Sequence, residues 1–123
     1  MYTLRVEQVF SAAHAILIQG ERERLHGHDW RVRVEVGGES LDEDGLLCDF
    51  HLIERLLNDV LSPWKDSTLN EVDPFTHLNP TAEKVAETIA SQLTPHLPST
   101  IEQLTVRVTE APGCEAAFSS RIG

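Results

Sequence analysis

A chain of 123 residues has room for one hydrophobic core, and an apolar share of 41% is that of a globular protein. Ten basic against twenty acidic residues give a net charge of −10, which argues against nonspecific nucleic-acid binding and against docking on anionic membranes. No apolar run approaches membrane-spanning length, and Met1-Tyr2-Thr3-Leu4-Arg5 leads directly into an alternating pattern rather than a secretory leader. A single domain over 1–123 in the cytoplasm is therefore expected.

Tyr2, Leu4, Val6 and Phe10 share one parity, with Thr3, Arg5 and Glu7 on the other, which predicts a first strand ending near His14. Trp30, Val32, Val34 and Val36 alternate with Arg31, Arg33 and Glu35 in a second strand, stopped by Gly37-Gly38. Asp49 is the expected N-cap of a first helix whose apolar stripe runs Phe50, Ile53, Leu56, Leu57, Val60, Leu61, Trp64, with Pro63 ending or distorting its last turn. A second helix is expected to start at Asn79-Pro80, Asn as cap and Pro at the first helical position, burying Ala82, Val85, Ala86, Ile89, Ala90 and Leu93. Leu104, Val106 and Val108 predict a third strand. Pro112-Gly113 then turns the chain into a fourth near Cys114 to Phe118. This is an α+β pattern, β-β-α-α-β-β, with an antiparallel four-stranded sheet and two helices on one face. Four strands leave two open edges, which association of sheets edge to edge in a homo-oligomer would cover. Cys48 and Cys114 form no CxxC motif and read as two reduced core thiols.

The chemistry concentrates around His26-Gly27-His28. On a strand, residues i and i+2 point the same way, so both imidazoles can close on one ion, and Gly27 puts no side chain between them. With His14 they make three imidazoles and no thiolate, a set suited to catalytic zinc because a fourth position stays open for water or substrate. Spacing alone leaves open three unrelated surface histidines. Residues 1–33 hold five arginines and four acids, so the histidine segment is the least acidic part of the chain. That is compatible with an anionic ligand, although Arg31 and Arg33 also read as an exposed strand face.

Phe10-Ser-Ala-Ala-His14, Leu25-His-Gly-His28, Cys48-Asp-Phe50, Leu69-Asn70, Asn79-Pro-Thr-Ala-Glu83 and Thr109-Glu110 occur in this order over nearly the whole chain. Together they resemble the 6-pyruvoyl-tetrahydropterin synthase / 6-carboxy-tetrahydropterin synthase family. The resemblance implies the tunnelling fold, in which three subunits join their sheets into a barrel and two trimers stack as a homohexamer with active sites at subunit interfaces. It implies Zn2+ held by His14, His26 and His28. It also implies a pterin substrate, 7,8-dihydroneopterin triphosphate, whose ring is anchored by Glu110. A carboxylate can accept two parallel hydrogen bonds from the pterin 2-amino group and ring N–H. Without the resemblance Glu110 is a solvated strand-end acid.

The chain departs from the family at two places. Four residues before His26 stands Arg22, not the cysteine that serves as base, and arginine cannot replace it near neutral pH. The Asp-His pair expected before Leu69 reads Asp66-Ser67. Glu23, three residues before His26, resembles a variant subgroup in which a glutamate replaces the cysteine and the side chain is cleaved to 6-hydroxymethyl-7,8-dihydropterin, a folate precursor. Read by itself, Glu23 is one of four alternating charges in a solvated loop. Asp66 matches the family's catalytic aspartate or only orients its loop. His77 either replaces the lost histidine or caps a turn, and His51 and His96 read as surface residues. The expectation is a zinc-dependent lyase of the pterin side chain, in folate-type or queuosine-type biosynthesis. The alternatives are a catalytically impaired pterin-binding paralogue, or a zinc enzyme acting on another heterocycle.

Overall fold

In the computed structural model, which describes residues 1–123, alternation of side chains along two long strands decides which sheet face is covered. Strand β1 (Tyr2–His14) pairs antiparallel with β4 (His26–Gly38) over their full length. Phe10 lies opposite Trp30, Ala12 opposite His28, and His14 opposite His26. Strand β6 (Gln103–Ala111) pairs antiparallel with β4, and β7 (Cys114–Arg121) with β6. Three further strands of two residues each are present. β2 (Leu17–Ile18) and β3 (Glu21–Arg22) form a small hairpin between β1 and β4, and β5 (Ser67–Thr68) adds parallel to β1. The main sheet thus has five strands in the order β5-β1-β4-β6-β7, not four. Elements of two residues are too short for alternation to announce them.

Helix α1 (Phe50–Leu61) begins as expected, with the Asp49 carboxylate accepting from the His51 N–H at 2.8 Å. Pro63 converts the end of the stripe into a 3-10 turn, Ser62–Trp64, which still buries Trp64. Phe50, at the head of the stripe, is half exposed. Helix α2 (Ala82–Leu93) starts later than expected: Thr81 is the cap, accepting from Lys84 N–H at 3.1 Å. Asn79 is used elsewhere, holding both polar backbone atoms of Leu17 at 2.8 and 2.9 Å. The Asn-Pro pair therefore ties down the β2–β3 hairpin instead of opening the helix.

Both helices lie on the same face, α1 over β1 and α2 over β6 and β7. Trp30, Val32, Val34 and Val36 of β4 and Leu104, Val106 and Val108 of β6 are fully buried beneath them. Cys48 belongs to this core, and burial, reinforced by the Asp49 carboxylate, pushes its thiol up and away from reactivity. Cys114 does not belong to it; it is exposed at the start of β7, next to the Pro112-Gly113 turn. The other sheet face carries charge: Arg33 reaches Glu7 at 2.9 Å and Glu115 at 3.4 Å. No helix is long and apolar enough to cross a membrane.

Trp30 joins the core to the histidines. Its ring stacks on Phe10 at 6.0 Å, meets His14 edge-on at 4.8 Å, and donates from Nε1 to the Ala12 carbonyl at 3.1 Å. Trp30→Ala should cost about 3–5 kcal/mol, the range for emptying a large buried aromatic site. The check is a urea titration in which the midpoint falls at unchanged slope.

Candidate metal centre

The three histidines meet because the β1–β4 register puts them on one face at one end of the ladder. His14 and His26 are direct cross-strand partners, and His28 is two residues further along β4. Their rings lie 4.7 to 5.2 Å apart, centre to centre. Glu110 arrives from β6 with the parity of Val106 and Val108, hence on the same face. One nitrogen from each ring and one Glu110 oxygen lie within 4.8 Å of one another, a group able to hold a metal ion.

Backbone carbonyls orient two of the rings. His14 Nδ1–H donates to the Pro80 carbonyl and His26 Nδ1–H to the Arg24 carbonyl, each at 2.8 Å. A carbonyl can only accept, so each Nδ1 carries a proton, and it is Nε2 of each ring that is left to face the centre, where a metal would take it. His28 Nε2 is buried with no hydrogen-bond partner. Burial pushes the His28 imidazole below its usual pKa, against the pull of Glu110 and with the help of His14 and His26, which favours the neutral, ligating form. The buried, unpartnered His28 Nε2, close to His14, His26 and Glu110, fits a cation.

The other expected residues fall into two places. Glu23 is half-buried beside the centre: its Oε1 accepts from Ile16 N–H at 3.1 Å and lies 3.7 Å from His26 Nε2. It is therefore fixed in direction rather than waving in a solvated loop. It opens onto a cavity of about 430 Å3 also lined by Arg22, Asn70, His77 and Asn79. Asp66 is not in that cavity. It lies at a positive φ of 57°, with its N–H on the Ser11 carbonyl, and shares a separate hollow with Ser11, His28, Asp29 and Ser67. The Ser67 hydroxyl is spent on the Trp64 carbonyl at 2.7 Å, so it relays nothing toward Asp66. His51 and His96 are exposed, as expected.

Sequence reasoning missed how the chain after β1 is held. The Asn70 side chain takes both polar backbone atoms of Ala15, accepting from N–H at 2.9 Å and donating to the carbonyl at 2.7 Å. Leu69-Asn70 belonged to the motif set, but nothing in its spacing pointed to Ala15, the residue that follows His14.

The whole domain, residues 3–121, matches the family model described as 6-pyruvoyl tetrahydropterin synthase. The chain belongs to that family. Its members process pterin side chains, so this chain is a 6-pyruvoyl-tetrahydropterin-synthase-like protein of the tunnelling fold. It is 30% identical to the 6-carboxy-5,6,7,8-tetrahydropterin synthase of Bacillus subtilis (strain 168), over 92% of this chain and 83% of that one. It is 32% identical to the dihydroneopterin monophosphate aldolase of Pyrococcus furiosus, over 76% of this chain and 75% of that one. Among solved structures, the Plasmodium falciparum 6-pyruvoyl tetrahydropterin synthase superposes with a TM-score of 0.84 at 20% identity, covering 98% of both chains. A Plasmodium vivax 6-pyruvoyltetrahydropterin synthase, described as a catalytic-residue mutant with a glutamate replaced by alanine, superposes at 0.83, again at 20% identity and 98% coverage of both.

Proposed function

We propose that this protein is a zinc-dependent lyase that cleaves the side chain of a phosphorylated 7,8-dihydroneopterin, with Glu23 as general base. The observation that carries the reading is the position of Glu23. A carboxylate held by a backbone N–H stands 3.7 Å from a ligand nitrogen of the three-histidine centre, on the wall of a cavity. The Pyrococcus relative is named an aldolase, which supports carbon–carbon cleavage, and the Plasmodium vivax protein is named as a mutant of a catalytic glutamate, which supports a carboxylate as base.

His14, His26 and His28 would hold the zinc, which as a Lewis acid would bind the side-chain hydroxyls and lower their pKa. Glu23 would take the proton from the 2′-hydroxyl. The C1′–C2′ bond then breaks, its electron pair passes into the C6=N5 imine of the ring, and C1′ is reprotonated as the pair returns. The products are 6-hydroxymethyl-7,8-dihydropterin and a phosphorylated two-carbon aldehyde. No oxidant is needed, and the proton Glu23 accepts is the one C1′ requires. Arg22 and His77, on the cavity wall with Glu23, are placed to meet the anionic end of such a substrate.

The outer edge of β7 is unpaired, and beyond β1 lies only the two-residue β5. These edges support a homohexamer of two trimers with interfacial sites, in which Asp66 would serve a neighbouring subunit's site. The test of function is to incubate zinc-loaded protein with dihydroneopterin triphosphate, and separately with the monophosphate, and to identify products by mass spectrometry. 6-Hydroxymethyl-7,8-dihydropterin is expected. A product retaining the three-carbon side chain, a 6-carboxy product, or unchanged substrate contradicts the proposal.

A further inference from the structure

We propose that Asn70 and Asn79 are positioning residues for Glu23: their side-chain amides lock the backbone on either side of Ile16, whose N–H aims the carboxylate. The inference rests on the reading of Glu23 as general base, and goes beyond it by naming what holds that base in place.

The hydrogen bonds of three consecutive residues carry the argument. Ile16 is bonded to Glu23 through both of its polar backbone groups. Its carbonyl accepts from the Glu23 N–H at 3.0 Å, and its N–H donates to Glu23 Oε1 at 3.1 Å. Backbone and side chain of Glu23 therefore close on one residue. In an extended chain, successive residues direct their polar groups to opposite sides, so Ala15 and Leu17 turn theirs away from Glu23.

On that other side an asparagine takes each pair. Asn70 accepts from the Ala15 N–H at 2.9 Å and donates to the Ala15 carbonyl at 2.7 Å. Asn79 does the same for Leu17, at 2.8 and 2.9 Å. A side-chain amide carries the donor and the acceptor of a peptide group, so each asparagine imitates one residue of a neighbouring strand. True backbone pairing on this edge ends earlier, since β5 reaches only Ala12 and Ala13. The two amides extend the edge past His14 to the residues that flank Ile16.

A carboxylate on a free side chain samples several rotamers, whereas one tied to a fixed N–H meets the substrate in one direction. That direction matters, because a misplacement of about 1 Å can cost about a hundredfold in rate. Asn70 and Asn79 share the cavity wall with Glu23, but each has a donor and an acceptor committed to the backbone. Their loss should therefore appear in kcat, through Glu23, rather than in KM.

Asn79→Ala, alone and combined with Glu23→Gln in a double-mutant cycle on phosphorylated dihydroneopterin at matched zinc loading, tests this. Leu17 is exposed, so water can take up the two freed backbone groups and the fold should persist. In the parent background kcat should fall about 10–100-fold while KM stays within about twofold and bound zinc is unchanged. In the Glu23→Gln background the same substitution should change kcat less than about twofold, because the carboxylate it acts through is gone. Asn79→Asp and Asn70→Asp, each of which keeps the bond to a backbone N–H and loses the one to a carbonyl, should show smaller losses of the same kind. Exchange of the Ile16 amide hydrogen, followed by NMR without substrate, should quicken about tenfold in Asn79→Ala. An equal loss of kcat in both backgrounds, a change confined to KM, or an Ile16 amide that exchanges at the parental rate overturns the inference. Failure of the underlying reading looks different: the Ile16 amide would still respond to Asn79→Ala, while Glu23→Gln would keep the parental kcat.

Discussion

Glu23→Gln should lower turnover on phosphorylated dihydroneopterin about 10²–10⁴-fold, the range for removing a positioned general base. The amide keeps the size of the side chain and can still accept from Ile16 N–H through its oxygen, the contact that now fixes Glu23. What it loses is the ability to take a proton. Zinc content and stability should therefore stay near parental levels while kcat falls. Arg22 cannot substitute, because a guanidinium stays protonated. Asp66 shares a hollow with His28 that Glu23 does not line, so the two carboxylates do not stand on one wall within the chain. Single-turnover kinetics with parent and variant at matched zinc loading is the measurement. A variant with parental kcat would remove Glu23 from the chemistry, and one that also loses zinc would mean the carboxylate supports the centre instead.

His28→Ala should abolish stoichiometric zinc binding and reduce turnover by more than about a hundredfold, since a Lewis-acid metal contributes several kcal/mol and each 1.4 kcal/mol is a factor of ten. His28 is the most informative of the three to replace. His14 and His26 each have a backbone carbonyl on Nδ1, so truncating either also leaves a carbonyl without its donor. His28 Nε2 has no hydrogen bond to lose. Removing it deletes a ligand and little else, so folding should persist while metal content, read by mass spectrometry of the native protein, drops.

Much of this site was legible in the sequence, for a physical reason. A period of two is a strong constraint: once Trp30, Val32, Val34 and Val36 face the core, His26 and His28 must point the same way, and Phe10, Ala12 and His14 follow by pairing. Glu110 obeys the same parity through Val106 and Val108. Its approach to within 3.2 Å of two histidines was not legible, because it depends on the bulge and on which strands become neighbours. Local signals failed where tertiary contacts outbid them. Asn79 ahead of Pro80 has the look of a helix cap, yet its amide can satisfy two backbone groups of Leu17 at once, while Thr81 caps the helix with its single hydroxyl. The alternating charges Glu21 to Arg24 resemble a solvated loop. A two-residue hairpin and the Ile16 N–H convert that segment into a support for Glu23.

The central claim is that side-chain cleavage depends on a metal held by His14, His26 and His28. Titrating metal-stripped protein with zinc, and following bound metal and product formation together, tests it most directly. Both should rise in parallel and saturate at one zinc per chain, and neither should occur in His28→Ala. Product formed by the stripped protein, or zinc bound with parental affinity by His28→Ala, would contradict it.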